Sequence, residues 1–395
     1  MISNIYKIQK IISYNKMEID KLGIEEQLNS QETPKTFYKT IKFLIISVVI
    51  VFIVLITVIT LSLKTITKAS TSKPVSFSAK TVSTSAELYQ AIFTASPGDV
   101  ISVSPGTYDY SIYDGAQKFY TEKSGTKTAP ITLTALDPNN PPLLVGKNSN
   151  DGYVLHITGD YWIIDNLKLS TSQKGIVLDN SNYSIIKNCE IFNTGAEAVA
   201  LRDGSSYNLV QNCYIHDTGL VSPGYGEGIY IGSAVSTTQY NYYCDYNVVQ
   251  NCTFKNVAAE HVDVKEYTTG TEIFECTFYG DGMSGQNYAG SFLDIAGKDV
   301  YVHDNVGYRN NNKKIVAAFE MHDQVQGWAT NAKFVNNVLY MDRSYGEVDT
   351  GRRMYVVDAW DLKFSVKNNK VDYGDGLVAA DSWEYYNSDY VTYLQ

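Results

Sequence analysis

The sequence predicts an all-β solenoid, a single-stranded parallel β-helix, on the basis of three observations. Helical patterns are nearly absent between the predicted strands, which excludes βαβ folds. An asparagine recurs at positions 166, 188, 212, 251, 305, 337 and 369. A four-residue phrase also recurs, as Asn188-Cys189-Glu190-Ile191, Asn212-Cys213-Tyr214-Ile215, Asn251-Cys252-Thr253-Phe254 and Glu275-Cys276-Thr277-Phe278. These phrases start 24, 39 and 24 residues apart, the middle interval being lengthened by an insertion at 220–245. A period of about 20–30 residues is typical of solenoids, whose coils bury their apolar faces against one another.

The N-terminal part of the chain is predicted to anchor the protein in a membrane. Phe43–Leu63 contains no charged residue. At a rise of about 1.5 Å per residue, such a helix crosses a hydrocarbon core of about 30 Å. Residues 1–42 then form a cytoplasmic tail and residues 64–80 a stalk rich in Ser, Thr and Lys.

The orientation of this span does not follow from charge, because lysines flank it on both sides. We expect a type II anchor, since a long β-solenoid with glycosylation sequons suits the exterior face. Cleavage near Ala69, which would release the domain, is the alternative.

Residues 81–395 are expected to form one β-helix domain that begins with a capping helix at Ala86–Ala95. This helix would cover the open end of the core, as terminal caps of solenoids do. The predicted strands are Val100–Val103, Ile131–Ala135, Trp162–Leu169, Ile185–Phe192, Asn208–His216, Val248–Lys255, Glu272–Tyr279, Val300–Tyr308, Lys333–Tyr340 and Lys363–Val371.

The charge of the domain restricts its partners. The chain has a net charge of −10, and its first 73 residues carry +5, so the remainder carries −15. Nucleic acid is excluded as a partner, since its binding depends on clustered Lys and Arg. An acidic polymer remains compatible if a divalent cation lies between it and the protein. We expect a monomer.

Four of the five cysteines occupy one repeat position and should therefore stack on neighbouring coils. Strands side by side in parallel offer poor geometry for a disulfide. A buried ladder of free thiols that behave as small hydrophobes is favoured over disulfides, and Cys244 is left unassigned.

A second strand of each coil, aligned by its inward apolar pairs, gives a map of outward residues. The pairs used are Val199/Leu201, Ile229/Ile231, Val262/Val264, Leu293/Ile295, Phe319/Met321 and Tyr355/Val357. One outward column is Ala200, Tyr230, Asp263, Asp294, Glu320 and Val356, and its neighbour is Arg202, Gly232, Lys265, Ala296, His322 and Asp358. Just before these strands, Glu197, Glu227 and Glu260 also align. A face that is merely solvated would carry mixed polar residues. An acidic cluster around one lysine therefore indicates a functional site. His156, His216 and His303 lie elsewhere and are interpreted as structural.

Three segments carry a family resemblance. They are Ala91–Tyr108, Ser124–Ile131 and Ala259–Lys265. Together they resemble pectate-lyase-like right-handed β-helix proteins, most of all the chondroitinase B/alginate lyase group, polysaccharide lyase family 6. The resemblance covers roughly residues 80–370.

The resemblance implies a site with calcium and a basic lysine. Lys265 matches the Brønsted base of that group, and Glu227 and Glu260 match its calcium ligands. Asp263 and Asp294 are added as metal ligands from the map of outward columns. The chain departs from the group at Gln286–Tyr288, where an arginine is expected, and at Ala258, where a second glutamate is common. His322, Tyr230 and Arg202 are therefore open candidates for the acid or charge-neutralising role.

The function predicted from these residues is a polysaccharide lyase that cleaves a uronate polymer by Ca²⁺-assisted β-elimination. Two alternatives stay open. One is a hydrolase or epimerase that uses Asp263 and Asp294 as a carboxylate pair. The other is a non-catalytic glycan-binding or adhesive module, for which the 32 tyrosines would supply stacking surfaces.

Overall fold

The structure is a computed structural model that describes residues 78–110, 118–342, 355–385 and 390–395. The predicted tail 1–42, membrane span 43–63 and most of the stalk 64–80 lie outside the described residues. The last two stalk residues, Ala79 and Lys80, are part of the first strand, Ala79–Val82. Within the described ranges, no helix is both long and apolar enough to cross a membrane.

The described chain forms three sheets of stacked strands, which it visits in turn in each coil. Sheet 1 comprises Ala79–Val82, Val100–Val103, Ile131–Ala135, Trp162–Asp165, Ile185–Lys187, Leu209–Gln211, Val248–Gln250, Glu272–Phe274, Tyr301–His303, Ala332–Val335, Phe364–Lys367 and Val391–Tyr393. Sheet 2 comprises Thr107–Asp109, Leu143–Val145, Lys168–Ser172, Glu190–Thr194, Tyr214–His216, Thr253–Lys255, Thr277–Tyr279, Val306–Tyr308, Val338–Tyr340, Lys370–Asp372 and Leu377–Ala379. Sheet 3 comprises Phe119–Thr121, Tyr153–Ile157, Lys174–Asp179, Val199–Arg202, Ile229–Ile231, Val262–Val264, Leu293–Ile295, Ala317–Met321 and Tyr355–Ala359.

Neighbouring strands within the described sheets are parallel, apart from the antiparallel pair Lys370–Asp372 and Leu377–Ala379. The all-β parallel solenoid predicted from the sequence is therefore confirmed. Each long predicted strand is in fact two strands of different sheets. Trp162–Leu169, for example, divides at Asn166, whose φ of 54° turns the chain from sheet 1 into sheet 2.

The predicted N-terminal cap is confirmed as helix α1, Ser85–Phe93. Thr84 and Glu87 form a capping box, in which each side chain accepts a hydrogen bond from the other residue's backbone N–H. Leu88, Ala91 and Ile92 are buried against the first strands of the solenoid. The helix thereby shields the apolar end of the core from water.

The core is a column of inward side chains that runs the length of the solenoid. Stacked aromatic rings fill its middle, with centroids 5.5 Å apart for Phe254 and Phe278 and 5.8 Å apart for Phe278 and Phe292. Each fully buried phenylalanine contributes about 1.5–3 kcal/mol of transfer free energy. Such a core fixes the register of the coils.

The cysteine ladder is confirmed as buried free thiols. Cys189 Sγ donates to the Lys187 carbonyl at 3.3 Å, and Cys213, Cys252 and Cys276 repeat this contact with the residue two positions earlier. Burial raises the pKa of Cys189 and Cys252. Cys189 and Cys252 are therefore protonated, and the buried ladder is structural.

The single asparagine ladder predicted from the sequence is wrong, because there are two. Asn188, Asn212 and Asn251 occupy an exposed turn position and are linked by side-chain hydrogen bonds of 3.2 and 2.8 Å. Asn305, Asn337 and Asn369 are buried and occupy the position of the cysteines, since Thr277 pairs with Val306. Their amides bond to one another at 3.0 Å and to backbone carbonyls. Adjacent asparagines at 336–337 and 368–369 made the two positions indistinguishable by spacing.

Candidate functional site

The outer face of sheet 3 carries the acidic column that the sequence predicts. Ala200, Tyr230, Asp263, Asp294 and Glu320 are register partners on successive strands. The sixth predicted member was wrong, since Glu320 pairs with Asp358 and not with Val356. Val356, Val357 and Ala359 are all fully buried, so alternation within this apolar strand could not identify the inward pair. The correction adds a further acid to the column.

Three of the four predicted metal ligands converge at one point, here called the carboxylate centre. Ligand oxygens of Glu227, Glu260 and Asp263 lie within 4.8 Å of one another. The residues are only 4%, 7% and 2% exposed. Asp263 lies in the strand Val262–Val264, whereas the two glutamates precede their strands by two residues. The fourth predicted ligand, Asp294, is not part of this group.

The carboxylate centre contains three acidic groups, and the nearby positive charge of Lys265 does not balance them. Burial raises the pKa of Glu227 and of Glu260, and the neighbouring carboxylates raise both further. Burial likewise raises the pKa of Asp263 to about 6, against the lowering effect of Lys265. Glu227 Oε2 and Asp263 Oδ1 are buried without a hydrogen-bond partner. Such oxygens are open to a cation or a proton.

The residues of this centre fit a hard divalent cation. Ca²⁺ is bound by several carboxylate oxygens, and Glu227, Glu260 and Asp263 supply oxygens from adjacent coils at short separation. Two of these three residues, Glu227 and Asp263, each have a buried oxygen without a hydrogen-bond partner.

Lys265 lies directly beside this centre. Its Nζ is 2.7 Å from Asp263 Oδ2 and 5.3 Å from the centroid of the Tyr230 ring. Burial alone would lower the pKa of Lys265, but Asp263 and Asp294 outweigh burial and raise it. Unless a cation neutralises those two acids, the Lys265 side chain is an ammonium ion.

Tyr230 and Gly232 complete the surroundings of Lys265. Burial raises the pKa of Tyr230, and the charge of Asp263 raises it further, so its phenol is protonated. Gly232 has a φ of +114°, and a Cβ there would lie 2.7 Å from Lys265 Cβ. Glycine is therefore required at this position if Lys265 is to keep its place.

The next strands carry a second acidic set, the distal acidic group of Asp294, Glu320, His322 and Asp358. His322 Nδ1 contacts Asp294 Oδ1 at 2.7 Å, and this hydrogen bond raises the pKa of His322 to about 9. Burial raises the pKa of Glu320 to about 7 and also raises that of Asp358. Glu320 Oε2 and Asp358 Oδ1 are buried and unpartnered. His322 was predicted in one column with Asp358, but the register separates them.

Arg202, the remaining predicted catalytic candidate, does not contact the carboxylate centre. Its Nε and Nη2 donate to the two oxygens of Asp179 at 3.0 and 2.9 Å. His156 Nε2 contacts the same carboxylate at 2.9 Å. Burial opposes the charge of Asp179, but hydrogen bonds from His156 and Arg202 lower its pKa to about 2.

Sequence reasoning missed Asp179 and took His156 as structural. Extending the column map one strand toward the N-terminus would have aligned Asp179 with Arg202.

Loops at both edges of sheet 3 border this face. On one edge, residues 217–228 meet Gln286–Tyr288, the segment that lacks the expected arginine, and Asn287 Nδ2 donates to the Gly224 carbonyl at 3.0 Å. On the other edge, Tyr267 packs between Tyr242 and Trp328 at 5.4 and 5.1 Å. The insertion at 220–245 thus contributes to both walls.

Comparisons with known proteins agree with this architecture. A family model described as "Pel9A-like, right handed beta helix region" matches residues 69–219. An alginate lyase from Paenibacillus sp. str. FPU-7 is 39% identical, with 80% of this chain and 100% of that chain covered and a TM-score of 0.72. Comparison with curated protein sequences gives no match.

Two more distant structures share the fold alone. The pectate lyase Pel9A is 17% identical, covering 74% of this chain and 73% of that chain with a TM-score of 0.52. A rhamnogalacturonan lyase is 14% identical, covering 76% and 80% with a TM-score of 0.51.

Three stacked sheets with an acidic outer face define a pectate-lyase-like right-handed β-helix protein. The chain belongs to the polysaccharide lyase family of the Paenibacillus alginate lyase. The resemblance drawn from the sequence is confirmed.

Proposed function

We propose that this protein cleaves a uronate polysaccharide by β-elimination, assisted by Ca²⁺ held at Glu227, Glu260 and Asp263. The observation that carries the proposal is the close packing of these three carboxylates beside Lys265 and Tyr230. The 39% identical relative is an alginate lyase, and alginate is a polymer of uronic acids.

The reaction requires a base, an acid and relief of negative charge. The base removes the proton α to the uronate carboxylate, a double bond forms, and the glycosidic C–O bond breaks. Lys265 takes that proton. Tyr230, protonated and adjacent, gives a proton to the departing oxygen. When bound, Ca²⁺ would neutralise the substrate carboxylate and the surrounding acids, which lowers the pKa of Lys265.

The location of the reaction is part of the same proposal. The uncharged segment Phe43–Leu63 supports a single membrane span, and a long β-solenoid with glycosylation sequons favours the type II orientation, with the β-helix outside the cell. An exterior location brings the acidic face to extracellular polymers.

The test is lyase activity of the full-length protein on uronans, measured by the ultraviolet absorbance of the unsaturated product. We expect Lys265→Ala to reduce kcat by about 10²–10⁴-fold and Tyr230→Phe to have a smaller effect. Lys333→Ala, an exposed lysine of sheet 1, is the matched control. Wild-type activity in Lys265→Ala would refute the assignment of the base. Cleavage into saturated products would instead indicate a hydrolase.

One observation favours a second candidate, a glycan-binding protein without catalysis. The Lys265–Asp263 ion pair, with the raised pKa of Lys265, holds the lysine in its non-basic form. This candidate predicts uronan binding without product, both with added Ca²⁺ and after treatment with a chelator, and equal binding by Lys265→Ala.

A further inference from the structure

A cluster of basic and aromatic side chains lies on the same face of sheet 3, toward the N-terminus. This cationic cluster consists of Lys118, Tyr153, His156, Asp179, Arg202 and Tyr240. Tyr153 belongs to the strand that lies four positions before the strand Val262–Val264 in sheet 3, and Lys118 directly precedes the strand five positions before it. At about 4.8 Å per strand, Lys118 Nζ, which lies beside the rings of Tyr153 and Tyr120, is about 19–24 Å from Lys265 along the solenoid.

The base of the cluster is rigid. Arg202 is 8% exposed, and its guanidinium carbon lies 5.6 Å from the Tyr153 ring and 5.0 Å from the Tyr240 ring. Asp179 holds the guanidinium through two hydrogen bonds and also contacts His156. Tyr240 comes from the insertion, so the insertion also forms part of this cluster.

The accessible part of the cluster carries a cation without an anion. Lys118 Nζ lies 5.3 and 5.2 Å from the ring centroids of Tyr120 and Tyr153. Among the described residues, no carboxylate forms an ion pair with Lys118. Burial lowers the pKa of Lys118, and the charges of Tyr153 and Asp179 offset this lowering only in part.

The acids near Lys118 are already engaged. Asp179 is shared by Arg202 and His156. Glu122 accepts a hydrogen bond from Tyr120 Oη at 2.6 Å, and Glu197 pairs with Lys174. His156 is only 8% exposed, and its buried Nδ1 has no hydrogen-bond partner. The cluster therefore has an excess of positive charge and an unpartnered polar atom, features that call for an anionic ligand.

We propose that the cationic cluster is a binding subsite for the carboxylate of a uronate sugar four to five units from the bond that is cleaved. The proposal rests on the proposed function. A pyranose of an extended 1,4-linked chain advances by roughly one strand spacing, so a polymer along the solenoid axis would reach from Lys265 to this cluster. Lys118 contacts the carboxylate, and Tyr153 and Tyr240 pack against the sugar rings. Arg202 and Asp179 are positioning residues that hold both rings.

This subsite predicts that affinity grows with the length of the substrate. In the wild-type, full-length protein, the KM of the polymer should be lower than the KM of a uronate trisaccharide. Lys118→Met should raise the KM of the polymer about 5- to 10-fold, the loss expected for one charge-assisted contact. The difference in KM between trisaccharide and polymer should then largely disappear. Lys333→Met on sheet 1 is the matched control and should keep the wild-type difference.

Binding without turnover separates this inference from the proposed function. Lys265→Ala protein is titrated with a uronan and with the same polymer after chemical reduction of its carboxyl groups. Tight binding of the uronan and weak binding of the reduced polymer support the subsite. Equal binding of both, an unchanged polymer KM in Lys118→Met, or a loss of kcat instead of affinity overturns it. A wild-type protein that cleaves no uronan refutes the proposed function, whatever the binding result.

Discussion

The two ends of the outer face of sheet 3 treat buried charge in opposite ways. In the cationic cluster, Asp179 is satisfied by Arg202 and His156, and its pKa falls to about 2. At the carboxylate centre and the distal acidic group, carboxyl oxygens remain without partners and pKa values rise. Breaking a completed buried ion pair is strongly destabilising, whereas a buried carboxyl without a partner is a candidate site for a cation or a proton.

The largest expected change in the free energy of unfolding comes from comparing one substitution at each end. Arg202→Ala should lower the free energy of unfolding by up to about 3–5 kcal/mol, because it removes the charged partner of buried Asp179 and leaves only its contact with His156. Glu320→Gln should cost little or stabilise, since it removes a buried carboxyl oxygen without a partner. Both are measured by urea denaturation of the full-length protein. A similar loss in the two variants would show that the ends are alike.

The next effect tests the cation. Ca²⁺ at about one hundred times its Kd should raise the free energy of unfolding by about 2.7 kcal/mol if it binds the native state alone. Glu260→Gln removes one carboxylate of the centre and should abolish most of this gain, measured as the shift of Tm with and without Ca²⁺. Asp179→Asn, in the cationic cluster, should leave the Ca²⁺-dependent shift intact. An equal shift in Glu260→Gln would place the cation elsewhere.

The third prediction concerns pH. Glu320 has a pKa near 4.5 when unfolded and of about 7 in the native protein, so between these values the native state binds more protons. Stability should therefore fall as pH rises from about 5 to about 8, by on the order of 2 kcal/mol. Glu320→Gln should flatten this dependence when Tm is followed against pH without Ca²⁺. Asp179, with its lowered pKa, should lose its contribution progressively as pH falls from about 4 to about 2.

The smallest expected loss of stability is that of an exposed ion pair, which serves as a comparison for the buried pairs. Lys168 Nζ lies 2.7 Å from Glu190 Oε2, and both side chains are substantially exposed. Lys168→Ala should lower the free energy of unfolding by less than about 1 kcal/mol, since solvent screens such pairs. If Lys168→Ala lowered the free energy of unfolding as much as Arg202→Ala, burial could not explain a difference between the two ion pairs.

Much of the site could be predicted because strand alternation is local. Val262, Asp263 and Val264 show by themselves which side chain faces outward, and the repeat aligns Tyr230, Asp263 and Asp294 across coils. The prediction was wrong where local patterns were ambiguous. Val356 replaced Asp358 in the column because several adjacent residues are apolar, and the two asparagine ladders merged because asparagines occur in pairs.

The sequence by itself determined the solenoid, its capping helix, the buried thiols and the acidic column beside Lys265. Repeat period and side-chain alternation are properties of the chain, and parallel stacking converts them directly into neighbours. Only the tertiary structure decided which acids share space. It brought Glu227 and Glu260 to Asp263, gave Asp294 to His322 and tied Arg202 to Asp179. Long side chains at coil edges reach across several strands, and the direction of that reach depends on packing and charge in three dimensions.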